Sequence, residues 1–536
     1  MMPDPTPIQP EFLPKLVTVW REGYGLADLR ADALAGLTVA IVALPLAMAI
    51  AIASGVAPQA GLFTTIVGGF IVSTFGGSRY QIGGPAGAFI VLVAGCVTAI
   101  GPQGLILATA LSGLLLALAG VMRLGSFIRY IPYPVTLGFT AGIALIIAAS
   151  QIRDLGGLQL AGAEPAAFLP KVQALWQARA SLSPASTLVA LATIALIQGL
   201  KHLAPKWPGL LIAVALGGLA VYLFHLPVET IQDRFGALPR FLPAPQLPHI
   251  DLARLAAALP WALSFTLLGA IESLLSAVVA DGMSGARHRS NAELLAQGLA
   301  NVGAALFGGF CTTGTIARTA TNVRAGSRGP VSGMLHAVFV LLFMLIAAPL
   351  AGHIPLASLA GLLAVVSWNM VEKTQIRDLA RASPADGLIM AVTFLLVVFR
   401  DLTYGITAGF AVAGLVFIHR MSRSANVVPG PTVDIADPGH VTLHLSGPYF
   451  FGAAAQLNAT LDLVADRPNL FTLNLADLDY LDSSAAHSLA LLAHKLQRRG
   501  GQMQLAAVRP DQRAVLIGAG LVPPLVRYVP DPDNGQ

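Results

Sequence analysis

Apolar and polar segments alternate along most of the chain. The apolar runs lie near residues 33–53, 58–76, 85–100, 103–122, 131–150, 185–200 and 208–225, and then near 259–280, 291–310, 312–323, 330–350, 354–370, 386–399 and 402–419. A helix that crosses a bilayer needs about 20 residues, so the pattern predicts fourteen spans in two sets of seven. The runs at 85–100 and 312–323 are short and follow glycine-rich polar sequence. We therefore predict half-helices there.

The two short runs hold the same place in their sets. The third run is preceded by FGGSRYQIGGPAGA from Phe75 and the tenth by FGGFCTTGTIARTA from Phe307, which would place Pro85 opposite Ala317. An odd number of spans gives the two sets opposite orientations. The pattern predicts an inverted-topology repeat, whose binding site lies near the bilayer midplane where the spans are interrupted.

The C-terminal tail has a different pattern. Residues 441–451, 470–475 and 503–508 are typical of strands, whereas 453–465 and 511–519 have helical periodicity. Strands that alternate with helices predict a small α/β domain. We predict a cytoplasmic N-terminal segment at 1–32, seven-span repeats at 33–225 and 259–420, and an extracytoplasmic loop at 226–258. A linker at 421–430 would lead to the tail domain at 431–530.

Composition supports a membrane protein with a soluble appendage. Hydrophobic residues make up 55% of the chain and charged residues 11%, and the mean hydropathy is +0.72, whereas soluble domains carry about 25% charge. The pattern does not favour a soluble enzyme, and no set of nucleophile, base and orienting residue is visible. Cys96 and Cys311 are too few for a disulfide framework and lack zinc-site spacing. We predict no enzyme activity, cofactor, metal or nucleic-acid partner, and the long polar lead argues against a cleaved signal peptide.

Basic residues set the expected orientation, because cytoplasmic loops are enriched in Lys and Arg. The short loops at 54–57, 101–102 and 351–353 contain neither residue. The loops on the other side hold Arg79, Arg123, Arg129, Lys201, Lys206, Arg287, Arg289, Arg324, Arg328, Lys373, Arg377 and Arg381. We therefore predict a multi-pass protein of the inner (plasma) membrane with both termini in the cytoplasm.

The segment 267–330 carries the candidate chemistry. Glu272 is a lone carboxylate in an apolar span, and an ionisable residue at that depth indicates a functional site. Ser276 shares its helix face because the two residues are four apart. Arg318 follows the start of the tenth run and could supply a fixed positive charge. Alternatively, Arg318 reaches the interface or forms a permanent ion pair with Glu272.

Three stretches resemble the SulP anion transporters (solute carrier family 26). They are GAIESLLSAVVADGMSG with the RHRSNAELLAQGLAN and ARTATNVRAGSRGP that follow, LPLAMAIA at 44–51, and GGPAGAFIVL at 83–92. The tail segment LDYLDSSAAHSLALL at 478–492 resembles the STAS domain of that family. The resemblance implies a polytopic α-helical membrane protein of fourteen spans. These would form a 7+7 inverted repeat with core and gate domains, followed by a C-terminal cytoplasmic α/β STAS domain. Homodimers are usual in this family.

The resemblance also implies an anion site between the N-termini of the third and tenth spans. Unpaired N–H groups and the helix macrodipole favour negative charge at such termini, and Pro85 suits a first helical position. The expected substrate-binding residues are Pro85, Ala86, Gly87, Ala88, Thr315, Ile316, Ala317 and Arg318, with Met48 from the first span.

Coupling and regulation are further expectations from the resemblance. Glu272, Ser276 and the Gly314 backbone would bind the coupling ion, either a proton or sodium, although Ile316 offers sodium only its carbonyl. We favour the proton, because a buried glutamate can bind one near neutral pH. Asp482-Ser483-Ser484 resembles the loop that is phosphorylated in anti-sigma-factor antagonists, with a helix N-cap as the alternative. The STAS domain could also bind a cytoplasmic protein.

The most specific functional prediction is a proton-coupled anion symporter that works by alternating access. Its substrate would be a small inorganic or carboxylate anion such as sulfate, bicarbonate or a C4-dicarboxylate, and membrane lipid would surround it. The alternatives are a sodium-coupled bicarbonate transporter, an uncoupled anion exchanger, and a nucleobase permease of the same architecture. A channel would need a continuous polar pore, and a signalling or motor protein of this fold also stays open.

Overall fold

The computed structural model describes residues 11–126, 132–162, 164–165, 167–205, 207–248, 250–400, 402–423, 426–429, 440–451 and 470–530. They form two compact units, Met1–Gly409 and Phe410–Gln536. The helices of the first predicted set are α1 (Lys15–Arg21), α2 (Leu26–Ala53), α3 (Pro58–Phe63), α4 (Gly69–Phe75), α5 (Ile90–Val121), α6 (Tyr133–Gly156), α7 (Phe168–Gln177), α8 (Pro184–Leu203), α9 (Gly209–Phe224) and α10 (Ile231–Phe235). A π-helical turn, Thr64–Gly68, joins α3 to α4.

The second set begins at α11. Its helices are α11 (Leu252–Ser284), α12 (Ser290–Leu306), α13 (Ile316–Arg324), α14 (Val331–Ala351), α15 (Leu356–Met370), α16 (Lys373–Ala382), α17 (Pro384–Phe399) and α18 (Leu402–Ser422). Strands β1 (Gly83–Gly84) and β2 (Thr313–Gly314) precede the third and tenth spans. Across the described residues, 8 helices are long and apolar enough to cross a membrane, and a helix lies at each of the fourteen predicted runs.

Four helices depart from the predicted pattern. The third and fourth runs form one helix, α5, which is broken at Gly101, where φ is 72° and ψ is 175°. A residue with a side chain adopts that conformation only with strain, so glycine fixes the turn between the two spans. Helices α7, α10 and α16 were not predicted, because none of them coincides with an apolar run long enough to be recognised as a span.

Helices of the first set pack directly against helices of the second set. Helix α2 packs on α14, α5 packs on α11 and α12, and α6 packs on α15 and α17. Glycines bring α5 and α12 close together: a Cβ at Gly113 would lie 2.6 Å from the Gly298 carbonyl oxygen. Small residues at such crossings let the backbones of membrane helices approach.

The second unit is the predicted α/β domain. Its strands are β3 (Asn426–Pro429), β4 (His440–Tyr449), β5 (Leu470–Asn474), β6 (Leu478–Leu481), β7 (Gln502–Ala506) and β8 (Val526–Val529), with helices α19 (Ser483–Arg498) and α20 (Pro510–Gly518). The sheet order is β3-β4-β5-β7-β8, and β6 pairs with β4. All these pairs are parallel except β3 with β4. The helix predicted at 453–465 lies outside the described residues.

Candidate anion site

The site is organised by a crossing of two short strands. β1 and β2 pair antiparallel, with Gly83 opposite Gly314 and Gly84 opposite Thr313. Pro85 and Thr315 are the residues that directly follow β1 and β2, so they hold corresponding places in the two sets. The Phe-Gly-Gly match had aligned Pro85 with Ala317, so that prediction was wrong by two residues. The loops between the triplet and the strand differ in length, and the sequence match ignored this difference.

Beyond the crossing, each strand leads into a helix start. Ala86 precedes the short 3₁₀ turn Gly87–Phe89 that opens into α5, and Thr315 precedes α13. Both residues are extended, and neither gives the following helix a side-chain cap. The first N–H groups of a helix have no partner within it, so both termini can donate to a bound anion.

These helix starts line one cavity of about 360 Å³ in the membrane unit. Eight of the nine predicted substrate-binding residues line it: Pro85, Ala86, Gly87, Ala88, Thr315, Ile316, Ala317 and Arg318. The predicted coupling residue Glu272 lines the same cavity. The remaining wall comes from α2, α6 and α15 and the residues that follow α15: Leu46, Ile50, Thr140, Ile147, Leu363, Val366, Asn369, Met370 and Glu372.

Met48 is a correction to the predicted site. It is fully buried in the apolar core, and it does not line the cavity. Leu46 and Ile50 line the cavity instead. These two residues are four apart and share one face of α2, whereas Met48 lies about 200° around the helix from either.

Arg318 is a buried cation at the edge of the cavity. It is 2% exposed, and its Nη2 atom donates to the Pro85 carbonyl oxygen at 3.4 Å. Its Nε and Nη1 atoms are buried and find no hydrogen-bond partner among the described residues. A Cβ at Gly84 would lie 1.9 Å from Nη1, so glycine at that position makes room for the guanidinium.

Glu272 lies half-buried on α11 and faces the cavity. Within the described part of the chain, no residue forms an ion pair with it, and Arg318 lies outside ion-pair distance. The alternative of a permanent Glu272–Arg318 pair is therefore wrong in this conformation. The carboxylate stays available to a proton or to a cation.

The other two predicted coupling residues have a different place. The Ser276 hydroxyl donates to Thr319 Oγ1 at 3.0 Å, and the Gly314 amide donates to Ser273 Oγ at 3.4 Å. The Ser273 and Thr313 hydroxyls are 2.8 Å apart. These contacts fasten α11 to β2 and α13, and neither Ser276 nor Gly314 lines the cavity. The sequence alone could not predict that Ser273 pairs with Thr313 or that Ser276 pairs with Thr319.

Three polar cavity residues were missed altogether. Thr140 lies on α6, Asn369 lies near the end of α15, and Glu372 lies between α15 and α16. Hydropathy places all three in or beside apolar runs, but it does not tell which helices surround a site. The only available signal was that Glu372 is the first charged residue after its span.

The predicted regulatory serines lie in the second unit. Ser483 and Ser484 are exposed in the first turn of α19. The N-cap of that helix is Asp482, whose carboxylate accepts hydrogen bonds from the amides of Ala485 at 2.7 Å and Phe451 at 3.1 Å. The serine hydroxyls therefore do not cap the helix.

The fold and the site together define a class. A polytopic helical membrane protein with two broken helices meeting at a central cavity has the construction of a secondary transporter. The chain matches the sulfate permease family over residues 29–393 and the STAS domain over residues 434–524. It therefore belongs to the sulfate permease family, and its tail is a STAS domain. The predicted family, fold class and absence of enzyme activity are confirmed, since proteins of this family are transporters.

Individual relatives agree with this assignment. YvdB of Bacillus subtilis (strain 168) is 38% identical over 93% of this chain and 95% of its own length. The bicarbonate transporter BicA of Picosynechococcus sp. (strain ATCC 27264 / PCC 7002 / PR-6) is 30% identical over 80% of each chain. The sodium-independent sulfate anion transporter of Bos taurus is 27% identical over 94% of this chain and 87% of its own.

Two solved structures have the same fold. The transmembrane domain of a cyanobacterial BicA superposes with a TM-score of 0.65 at 32% identity, and it covers 72% of this chain and 98% of that domain. The inward-facing murine Slc26a9 anion transporter superposes with a TM-score of 0.86 at 18% identity, over 99% of this chain and 96% of the other.

Proposed function

We propose that this protein transports a small anion, of the sulfate or bicarbonate kind, by alternating access. The observation that carries the proposal is the pair of uncapped helix starts that meet at one cavity beside the buried Arg318. Aligned N–H groups and the positive ends of two macrodipoles favour negative charge. The sulfate permease match and the bicarbonate and sulfate transporters among the relatives support this choice of anions.

Arg318 contributes its charge rather than a dedicated pair of hydrogen bonds. Its Nε and Nη1 atoms are buried and have no hydrogen-bond partner among the described residues. In this proposal the backbone N–H groups contact the anion, while the guanidinium raises the local potential. Such an arrangement can bind anions of different shapes. Selection among them then depends on the apolar wall from α2, α6 and α15.

Glu272 is proposed to couple anion movement to a proton. It shares the cavity with the anion and has no ion-pair partner there among the described residues. When Glu272 is protonated, the loaded cavity carries one negative charge fewer, which lowers the cost of reorienting the site in a low-dielectric membrane. Sodium coupling is less favoured, because the expected oxygen ligands Ser276 and Gly314 lie away from the cavity.

Replacing Glu272 with Gln tests this coupling. We expect the variant to bind and exchange anion normally, because a neutral amide mimics the protonated carboxyl, while accumulation driven by an inward proton gradient is lost. The measurement is radiolabelled anion uptake into proteoliposomes with and without an imposed pH gradient. Ser264→Ala, on the same helix, is the matched control. Uptake that remains gradient-driven in the Gln variant would show that the coupling ion binds elsewhere.

The identity of the anion is tested with a panel of labelled sulfate, bicarbonate and C4-dicarboxylates. Each is supplied to wild-type proteoliposomes with no gradient, a proton gradient or a sodium gradient. We expect saturable uptake that only the proton gradient stimulates. Stimulation by sodium alone would favour the sodium-coupled alternative, and gradient-independent counterflow would favour an exchanger. No saturable uptake of any anion would contradict the proposal.

We also propose a membrane location, an orientation and a mode of regulation for the transporter. The basic loops support cytoplasmic termini and an inner (plasma) membrane location, with the STAS domain in the cytoplasm. A homodimer and a cytoplasmic partner for the STAS domain remain predictions from the family resemblance. A switch at Ser483 or Ser484 is supported by their exposure beside the N-terminus of α19, where phosphate groups are stabilised.

A further inference from the structure

A second polar cluster lies behind the anion cavity. It consists of Arg318 and Asn322 on α13, and Ser332 and His336 on α14, all of them buried. His336 is fully buried in an apolar helix, and both of its ring nitrogens lack a hydrogen-bond partner among the described residues. Asn322 Oδ1 is likewise without one. Buried polar groups are nearly always satisfied by protein or by ordered water, so these atoms call for an explanation.

A hydrogen bond joins the two helices that carry Arg318 and His336. Asn322 Nδ2 donates to Ser332 Oγ at 2.9 Å, which links α13 to α14 near the short turn that connects them. Arg318 lies four residues before Asn322, and His336 lies four residues after Ser332. Each therefore lies about one helical turn beyond this bond, Arg318 on α13 and His336 on α14.

The hydrogen-bonding capacities of the Arg318 guanidinium and the His336 imidazole are complementary. A guanidinium has five N–H donors and no acceptor, whereas a neutral imidazole has one acceptor nitrogen. Arg318 Nε and Nη1 are buried and have no hydrogen-bond partner among the described residues. An aspartate or glutamate there would hold the guanidinium but cancel its charge. A neutral acceptor holds the group and leaves the charge available to an anion.

We infer that His336 is a positioning residue for the anion site: a buried water accepts a hydrogen bond from the Arg318 guanidinium and donates one to the His336 imidazole. This contact fixes the guanidinium behind the crossing of β1 and β2, where Gly84 leaves room for it. Helix α2 packs closely against the backbone of α14 at this level, since a Cβ at Gly36 would lie 3.1 Å from the His336 amide nitrogen. The inference rests on the proposed anion function.

The test compares two replacements of His336. His336→Phe keeps a ring but has no acceptor, whereas His336→Gln keeps a neutral acceptor. In proteoliposomes with labelled sulfate and bicarbonate, Phe should raise KM by about tenfold or more, the effect of losing a hydrogen bond to a charged group. The maximal rate should change little, and Gln should restore most of the affinity. His202→Phe, at an exposed histidine outside the cluster, is the control and should behave as wild type.

An Arg318→Ala background makes the test specific. If His336 acts through Arg318, then adding His336→Phe to Arg318→Ala should leave KM unchanged. The inference is overturned if Phe and Gln have equal effects, if neither changes KM, or if Phe raises KM equally in both backgrounds. If Phe prevents folding only while Arg318 is present, the stranded guanidinium is the cause and the inference stands. If folding fails in both backgrounds, His336 is merely structural and the inference falls.

Failure of the proposed anion site and failure of the His336 role give different results. An Arg318→Ala variant with unchanged KM would count against the proposed anion site itself. A large Arg318 effect with no coupling to His336 would count against this inference alone.

Discussion

At the scale of single residues, the proposed anion site depends on a positive charge that no carboxylate among the described residues neutralises. Arg318 is 2% exposed and has no carboxylate partner among the described residues. A buried unpaired charge is costly, and proteins keep one where a ligand supplies the counter-charge. This gives a functional reason for a feature that would otherwise only destabilise the fold.

Replacing Arg318 with Ala is therefore expected to affect binding more than folding. Anion affinity should weaken by about 1–3 kcal/mol, the range for losing a charge-assisted interaction, and thermal stability should change by less. The measurements are equilibrium anion binding and thermal unfolding of the purified protein. Arg377→Ala, at an exposed arginine outside the cavity, is the control. A collapse of stability with unchanged affinity in the folded fraction would assign Arg318 a structural role.

Glu372 should make anion binding depend on pH. Partial removal from water raises the pKa of its carboxyl above the ordinary range, and the residue lines the anion cavity. Above this pKa its negative charge repels the anion, and below it the neutral carboxyl does not. Anion affinity should therefore increase as pH falls through this pKa.

The comparison for this prediction uses Glu372→Gln and the neighbouring Asp378→Asn, which does not line the cavity. Binding titrations across pH should show a flatter profile for the Gln variant, with high affinity throughout, and an unchanged profile for the Asn variant. If the Gln variant keeps the wild-type pH profile, another group is responsible, with Glu272 the first to examine.

Sequence reasoning found the charges of the site but not their neighbours. Glu272 and Arg318 stand out because each is an isolated charge within or beside an apolar run. His336 and Thr140 are also polar residues in apolar runs, yet hydropathy cannot tell a residue behind a site from one in a helix interface. Met48 was misassigned because a fully apolar helix has no polar face to mark the side that turns toward the cavity.

At the scale of elements, carboxylates in each set of spans accept hydrogen bonds from backbone amides of the other set. Glu293 on α12 accepts hydrogen bonds from the amides of Gly77 and Ser78 at 2.9 and 3.0 Å, in the loop before β1. Asp32 on α2 accepts from the amides of Arg328 and Gly329 at 2.5 and 3.1 Å, in the turn after α13. Both half-helices are thus anchored at connections next to them, one before β1 and one after α13.

Asp32 offers a graded test of that anchoring. Its carboxylate also accepts from the hydroxyls of Tyr24 at 2.7 Å and Ser327 at 3.2 Å. Asp32→Ala would strand several buried donors, each costing about 1–3 kcal/mol. Thermal unfolding should show the largest loss for Asp32→Ala, a smaller loss for Asp32→Asn, which keeps one acceptor oxygen, and the smallest for Tyr24→Phe. Equal stability of all three variants would mean that the turn holds without Asp32.

The elements themselves were largely predictable. Hydropathy located the apolar runs, and their length identified the two half-helices. The register between those half-helices was missed by two residues because it is set by the β1–β2 ladder and not by the Phe-Gly-Gly triplets. Elements without apolar periodicity, such as α16 and the π-helical turn Thr64–Gly68, leave no comparable signal.

At the scale of the whole molecule, the candidate anion site lies within one unit. Every residue that lines the cavity lies between Leu46 and Glu372, within the unit Met1–Gly409. The STAS domain has its own apolar core, built around residues such as Leu445, Phe471 and Leu489. Each unit thus contains the packing that it needs for its own fold.

A truncated protein should therefore keep its anion site. We expect the chain ending at residue 430 to bind anion with wild-type affinity, because no lining residue and no half-helix is removed. Folding yield, trafficking or turnover can still fall, since these depend on steps outside the cavity. The measurement is equilibrium anion binding to purified truncated and full-length protein, with thermal unfolding to identify the folded fraction. Arg318→Ala in the truncated chain is the control, and it should lose as much affinity as it does at full length. Well-folded truncated protein that no longer binds anion would show that the STAS domain completes the site.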